Sequence, residues 1–304
     1  MIDGKINLVI AGSIGIDTVE TPLDRKENIL GGSASYACAA ASFYTKTGMI
    51  GIAGTDFPED YKDIWRNMNI DLDGLQIESG KTFRWSGKYA SNMDNRETLS
   101  TELNVFEKFS PLMPKNYQDA PYLFLGNFHP KLQLDVLNLS KNPKFVLIDT
   151  MDLWINTAQD QLIKVIKKCN MLTLNESEAK LFTNEGNLIN AAKKLIGLGP
   201  DFILIKKGAH GSILYSKDSI FLLHAFPISN CCDPTGAGDS FAGGLMGMLS
   251  KLNKISLETI REAMIYGTVI ASFGIEEFSL DRFTSLQNNE IEQRIHDFKN
   301  MCSF

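Results

Sequence analysis

Short apolar runs recur at Ile6–Ala11, Met49–Ala53, Tyr122–Leu125, Phe145–Ile148, Met171–Leu174 and Phe202–Ile205. Each is too brief for a helix and lacks a regular polar face, so each reads as a strand buried on both sides. Between them, apolar residues return at helical spacing over Ser33–Tyr44, Phe57–Met68, Asp160–Lys168, Asn187–Ile196, Ser240–Leu249, Leu257–Ser272 and Asn289–Met301. Several of these segments open on Ser, Asp or Asn and close near Gly. Alternating strands and helices predict a mostly parallel sheet covered by helices on both faces.

One stretch departs from this alternation. From Asp73 to about Leu103 the pattern has period two and is aromatic, as in Thr82-Phe83-Arg84-Trp85-Ser86-Gly87-Lys88-Tyr89, with Ser79-Gly80 as a turn between two such runs. It reads as an antiparallel hairpin. The extended segments Asp17–Pro22 and Lys26–Gly31 supply further strands, so residues of about 15–31 and 73–103 are expected to form a small sheet standing off the main domain. A lid over a binding site and a decorative edge hairpin both fit that pattern. Phe83 and Trp85 share one face while Arg84 points the other way, so the aromatic face could close over a ligand or bury a lid–lid homodimer interface.

A chain of 304 residues suffices for one large α/β domain with an appendage, and 1–304 reads as a single domain. The 30 basic residues are scattered and outnumbered by 36 acidic ones, which argues against nucleic acid as a partner. No apolar stretch reaches the roughly 18 residues of a membrane span, and Ile6–Ala11 is too short for a signal peptide, with Asp3 where such a peptide would be basic. Five cysteines without a C-x-x-C spacing point to reduced thiols in a cytoplasmic protein. The four histidines share no ligand spacing, so no structural zinc is expected.

Candidate chemistry concentrates in Asp233-Pro234-Thr235-Gly236-Ala237-Gly238-Asp239-Ser240-Phe241-Ala242-Gly243-Gly244, after the strand-like Phe226–Asn230 and before a helix. The glycines at 236 and 238 permit a tight turn and leave backbone N–H groups uncovered at a helix N-terminus. Such an end binds anions and can stabilise a phosphoryl group in transfer. Asp239, just inside it, can accept the proton of an attacking hydroxyl.

This run resembles the second signature of the ribokinase-like (PfkB) carbohydrate kinase family, D-x-T-G-A-G-D-x-F. Further landmarks follow the family's order: Gly12-Ser13-Ile14-Gly15-Ile16-Asp17, Gly31-Gly32 before the first long helix, Asn175-Glu176-Ser177-Glu178, and Lys206-Lys207-Gly208-Ala209-His210-Gly211. The resemblance implies a ribokinase-like doubly wound α/β fold with a small β-sheet lid. It also implies an enzyme that passes the γ-phosphoryl group of ATP to a hydroxyl of a sugar or sugar-like molecule, with Asp239 as base and Gly236, Ala237 and Gly238 as the anion hole. Asp17, Gly31 and Gly32 would grip substrate hydroxyls, with Phe83 and Trp85 from the lid. Asn175 and Glu178 would place Mg²⁺ through water. Lys206, Gly208 and Gly211 would hold the nucleotide, and Asp233 with Thr235 would hold a monovalent cation, K⁺. Asn104 resembles the family's asparagine near the phosphate acceptor and donor, and Asn127 joins the pocket through its place at a strand end.

Three departures bear on the substrate. Tyr36 stands where the first signature continues to an asparagine, Gly15 where ribose-specific members often carry asparagine, and Phe128 near where they use an acid. Ribose itself is therefore disfavoured. The aromatic set Tyr36, Phe128, Phe83 and Trp85 suits stacking on a ring or a nucleoside base. An adenosine-like nucleoside kinase, a cyclitol kinase and a non-catalytic ligand sensor are the alternatives to a sugar kinase.

Overall fold

The computed structural model describes residues 5–302, so Asp3 lies outside it. In chain order the strands are β1 Leu8–Ala11, β2 Gly15–Glu20, β3 Arg25–Gly31, β4 Thr47–Gly54, β5 Asp71–Glu78, β6 Phe83–Tyr89 and β7 Arg96–Glu102. They continue with β8 Tyr122–Leu125, β9 Phe145–Asp149, β10 Met171–Asn175, β11 Phe202–Lys206, β12 Ser212–Tyr215 and β13 Ile220–Leu223. Nine form one sheet in the order β13-β12-β11-β10-β9-β8-β1-β4-β5, parallel from β11 through β5 and closed at the other edge by the antiparallel β12 and β13. The other four form a smaller sheet, β3-β2-β6-β7.

Apolar runs without a polar face make sense in a sheet covered on both sides. Along β1, Leu8 and Ile10 enter one core while Val9 and Ala11 enter the other. The first core is closed by the helices Ser33–Ser42, Ala237–Leu252, Leu257–Gly274 and Asn288–Met301. The second lies under Pro130–Leu139, Gln159–Ile166, Glu176–Thr183 and Leu188–Ile196. No helix among the described residues is long and apolar enough to cross a membrane.

The structure corrects two sequence-based expectations. The lid segment expected over 73–103 begins only at Phe83, because Asp71–Glu78 pairs in parallel with β4 as the edge of the large sheet. Its sequence alternates as a hairpin strand's does, but all of its residues except Gly74 are half-buried or exposed, as on a sheet edge, and Gly74 lets the two backbones meet, since a Cβ there would lie 2.4 Å from the Met49 carbonyl oxygen. Ser79-Gly80 is thus the passage between sheets, and the lid hairpin turns instead at Ala90–Asn95, where the Ala90 N–H donates to the Asn95 carbonyl at 2.9 Å. Phe226–Asn230 is irregular rather than a strand.

Thr82 anchors the root of the lid. Its hydroxyl accepts the Gly54 N–H at 3.0 Å and donates to Asp56 Oδ1 at 2.6 Å, which also takes the Thr82 N–H at 2.7 Å. Asn104 Nδ2 holds the Thr82 carbonyl at 2.9 Å. Asp56 also meets Arg84 Nη2 at 3.3 Å, so that arginine is spent on the outer face of the lid. Replacing Asp56 with Ala strands the Thr82 donors and should destabilise the protein by about 1–3 kcal/mol in urea unfolding. An unchanged midpoint would show that Asp56 does not hold the root.

Candidate active site

The carboxyl ends of the parallel strands converge on one cleft, the usual ligand position in an open α/β sheet. Asp149 ends β9, Asn175 ends β10 and Lys206 ends β11, while the Ala237–Leu252 helix begins beside them. That helix has no side-chain cap, and Gly236 enters it at φ 74°, a left-handed turn that favours glycine. A Cβ at Gly236 would also meet the Tyr36 ring at 2.2 Å. The Ala237 N–H donates to the Pro234 carbonyl at 3.2 Å, which leaves the N–H groups of Gly236 and Gly238 to bind an anion.

Lys206 points at this helix end. Its Nζ lies 3.2 Å from where a Cβ on Gly238 would stand, and it pairs with Asp149 Oδ2 at 2.7 Å. Burial alone would lower the lysine's pKa, but Asp149, Glu178 and Asp239 outweigh it and hold the amine charged. Asp239, in the helix's first turn, has its carboxyl pushed up to about 7 by burial and by Asp149, against the pull of Lys206 and of Arg96 from β7. Glu178 is likewise raised to about 7, chiefly by burial. Asn175 and Glu178 form a capping box, with Asn175 Oδ1 accepting the Glu178 N–H at 2.9 Å and Glu178 Oε2 accepting the Asn175 N–H at 2.7 Å.

The lid brings in the second half. On β2, Asp17 lies opposite Ile29 of β3 and Trp85 of β6. A Cβ at Gly31 would fall 1.9 Å from Asp17 Oδ2, so only glycine leaves room for the carboxylate. Gly32, at φ 95°, turns the chain directly into the Ser33–Ser42 helix. Asp17 is 3% exposed and its Oδ1 has no hydrogen-bond partner among the described residues. Burial, reinforced by Asp233, pushes its pKa up to about 8. Asp233 takes the Thr235 N–H at 2.9 Å, and the Thr235 hydroxyl donates to Tyr89 Oη at 3.0 Å, joining the turn before the Ala237–Leu252 helix to the lid.

Not every candidate residue reaches the cleft. Asn104 serves the lid root, and Asn127 is engaged by Met151 Sδ at 3.1 Å and by Trp154 Nε1 at 3.0 Å. Phe128 is 1% exposed in the core, and the Tyr36 ring is covered by Gly236, so neither offers a face for stacking. Phe83 and Asp17 Oδ1 both abut Gly15, whereas Trp85 packs beside Val19, Tyr89 and Phe278 with Arg96 over its ring at 5.4 Å. Gly208 and Gly211 both adopt positive φ in the loop after β11, and a Cβ on Gly208 would sit 3.3 Å from Asp94 in the lid turn. A depression of about 570 Å³ lined by Lys5, Asp119, Lys144 and Lys251 lies at the opposite ends of the strands and shares no residue with this cluster.

Sequence reasoning missed Asp149 and Arg96. Asp149 directly follows an apolar strand run, so its strand-end position was a usable signal. Arg96 sits in an exposed hairpin strand with no motif around it.

A lidded α/β sheet whose strand tips hold an uncapped helix end, a buried lysine and a carboxylate with elevated pKa is the equipment of a small-molecule kinase. The chain belongs to the pfkB family of carbohydrate kinases, whose model matches residues 17–284, and it is a phosphotransferase with an alcohol acceptor. The cytidine kinase of Thermococcus kodakarensis is 30% identical over 272 residues, covering 85% of this chain and 96% of that protein. The nucleoside kinase of Methanocaldococcus jannaschii is 23% identical over 254 residues, 81% of this chain and 78% of its own length. A solved structure of M. jannaschii nucleoside kinase, a member of the ribokinase family, superposes with a TM-score of 0.77 at 18% identity, covering 97% of this chain and 100% of that one, and shows the shared fold.

The raised pKa of Asp17 has a consequence for stability. The folded state keeps a proton that the unfolded chain gives up near pH 3.8, so stability is lost as pH rises from there through about 8. The ligand-free Asp17→Asn protein should therefore gain thermal stability over the wild type at pH 8.5 and lose that advantage towards pH 4. A Tm difference independent of pH would contradict this.

Proposed function

We propose that the chain transfers the γ-phosphoryl group of ATP to a sugar hydroxyl of a nucleoside, with Asp239 receiving the acceptor's proton. The observation that carries this reading is the convergence of Asp239, the Lys206 amine and the uncapped Ala237–Leu252 helix end on one point. Lys206 and the N–H groups of Gly236 and Gly238 would stabilise charge on the phosphoryl group as it moves, while Ala237, whose N–H holds the Pro234 carbonyl, fixes the turn between them. Arg96 adds positive charge from the lid. Asp17, with an oxygen lacking a partner, is suited to accept acceptor hydroxyls. The nucleoside assignment follows the two relatives described above, which are named a cytidine kinase and a nucleoside kinase.

Glu178 carries a largely desolvated carboxyl beside Asp149, and a divalent cation would relieve that excess of negative charge. Mg²⁺ held there through water would neutralise the phosphates of ATP. Asp233 is 1% exposed with no ion-pair partner among the described residues, and with Thr235 it forms the donor set we assign to K⁺. The unpaired edge β7, exposed along its length, is where a second copy could extend the lid sheet.

Asp239→Asn should retain ATP binding while kcat falls by about 10²–10⁴-fold, the usual scale of general-base catalysis. In the wild type the base must be ionised, so kcat/KM for the acceptor should fall as pH drops below about 7. Near-normal turnover in the variant, or a rate flat from pH 5 to 8, would remove Asp239 from that role.

A further inference from the structure

Tyr89, the last residue of β6, is 7% exposed and packs with Val19 of β2 and Phe278, beside Trp85 and Cys232. A phenylalanine would fill that apolar patch equally well, so packing does not call for the hydroxyl. The oxygen instead takes the hydrogen of the Thr235 hydroxyl at 3.0 Å, the one hydrogen bond between the small sheet and residues 233–239 among the described residues. Burial pushes the phenol's pKa up to about 12, so Tyr89 stays neutral over the range in which a kinase works.

The turn is otherwise tied to the main domain. The Cys232 and Asp233 N–H groups donate to the Ile275 carbonyl at 2.8 and 3.3 Å, and Asp233 takes the Thr235 N–H. The Thr235 hydroxyl also pulls the pKa of Asp233 down, so Asp233 is the acceptor to which that hydroxyl turns if Tyr89 is lost. Gly236 follows Thr235 directly at φ 74°, and a shift of Thr235 therefore re-aims the N–H groups of Gly236 and Gly238. Preorganised donors lose much of their effect when misplaced by a fraction of an ångström. Resting on the proposed reading that this turn cradles the phosphoryl group, we infer that Tyr89 is a positioning residue for phosphoryl transfer, its oxygen holding Thr235 so that Gly236 and Gly238 are aimed while the lid lies over the cleft. A lid that moves off the cleft breaks this bond, so the anion site is complete only with the acceptor covered. The hairpin keeps its place by other contacts as well, since Asp94 in its turn lies 3.3 Å from where a Gly208 Cβ would stand.

Tyr89→Phe keeps the ring and removes the oxygen. The test compares it with the wild type, using ATP and the acceptor that the wild type phosphorylates fastest among cytidine, uridine, adenosine and ribose. In the variant kcat should fall roughly tenfold, the scale of one hydrogen bond. KM for ATP and for the acceptor and the ligand-free Tm should be unaltered, the pattern of an interaction felt only in the transition state. An unchanged kcat would overturn the inference and leave the kinase reading intact. A raised acceptor KM at unaltered kcat would also overturn it, making Tyr89 a latch that holds the lid without aiming the turn. A fallen Tm, with kcat and both KM values moving together, would overturn it by reducing Tyr89 to a packing residue. A wild type that phosphorylates none of the four acceptors would overturn the proposed reading of the cleft and this inference with it.

Discussion

The Lys206–Asp149 pair at the tips of β11 and β9 is the interaction around which the site is arranged, and it is the most buried ion pair among the described residues, with side chains 18% and 5% exposed. Withdrawing two charges from water is expensive, and such pairs often add little net stability. This one fixes a positive charge 3.2 Å from the position of a Gly238 Cβ, at the mouth of a helix whose own end is positive. It also sets the acidities around it. Lys206 pulls Asp239 down while Asp149 pushes it up, and with burial the balance leaves that carboxyl near neutrality, where a general base works best. Without the lysine, three acidic groups would face one another with no buried cation among them.

The rest of the cleft stores similar tension. Asp17 and Asp233 are both nearly sealed, and Asp17 Oδ1 has no partner among the described residues. Each is unfavourable for the ligand-free fold and favourable once hydroxyls or cations arrive, the exchange of stability for function expected of a binding site. Room for these groups is supplied by glycines. Gly31 exists for the Asp17 carboxylate and Gly236 for the Tyr36 ring, so each glycine reserves the place of a neighbour.

The large sheet was legible because its strands are buried on both faces and therefore appear as unbroken apolar runs. The anion turn was legible because few other structures need two glycines and an acid at that spacing. Asp71–Glu78 was misassigned for a physical reason: the sequence of an edge strand alternates with the same period as that of a hairpin strand, and only its partner distinguishes them. Tyr36 was read as a stacking surface on its aromatic character, whereas Gly236, 200 positions away in sequence, covers its ring and leaves only the hydroxyl. Asn175 and Glu178 show that capping does not use up a carboxylate, since both residues cap the helix while Glu178 keeps its raised pKa.

The central claim is that this cleft moves a phosphoryl group from ATP to an alcohol. Incubating the protein with γ-labelled ATP, Mg²⁺ and K⁺ against cytidine, uridine, adenosine, inosine, ribose, fructose and myo-inositol tests it most directly. The account predicts label in a phosphorylated nucleoside, with little release as free phosphate when no acceptor is present. A protein that binds ATP and a nucleoside yet labels none of these acceptors would contradict it and mark the cleft as a ligand sensor's.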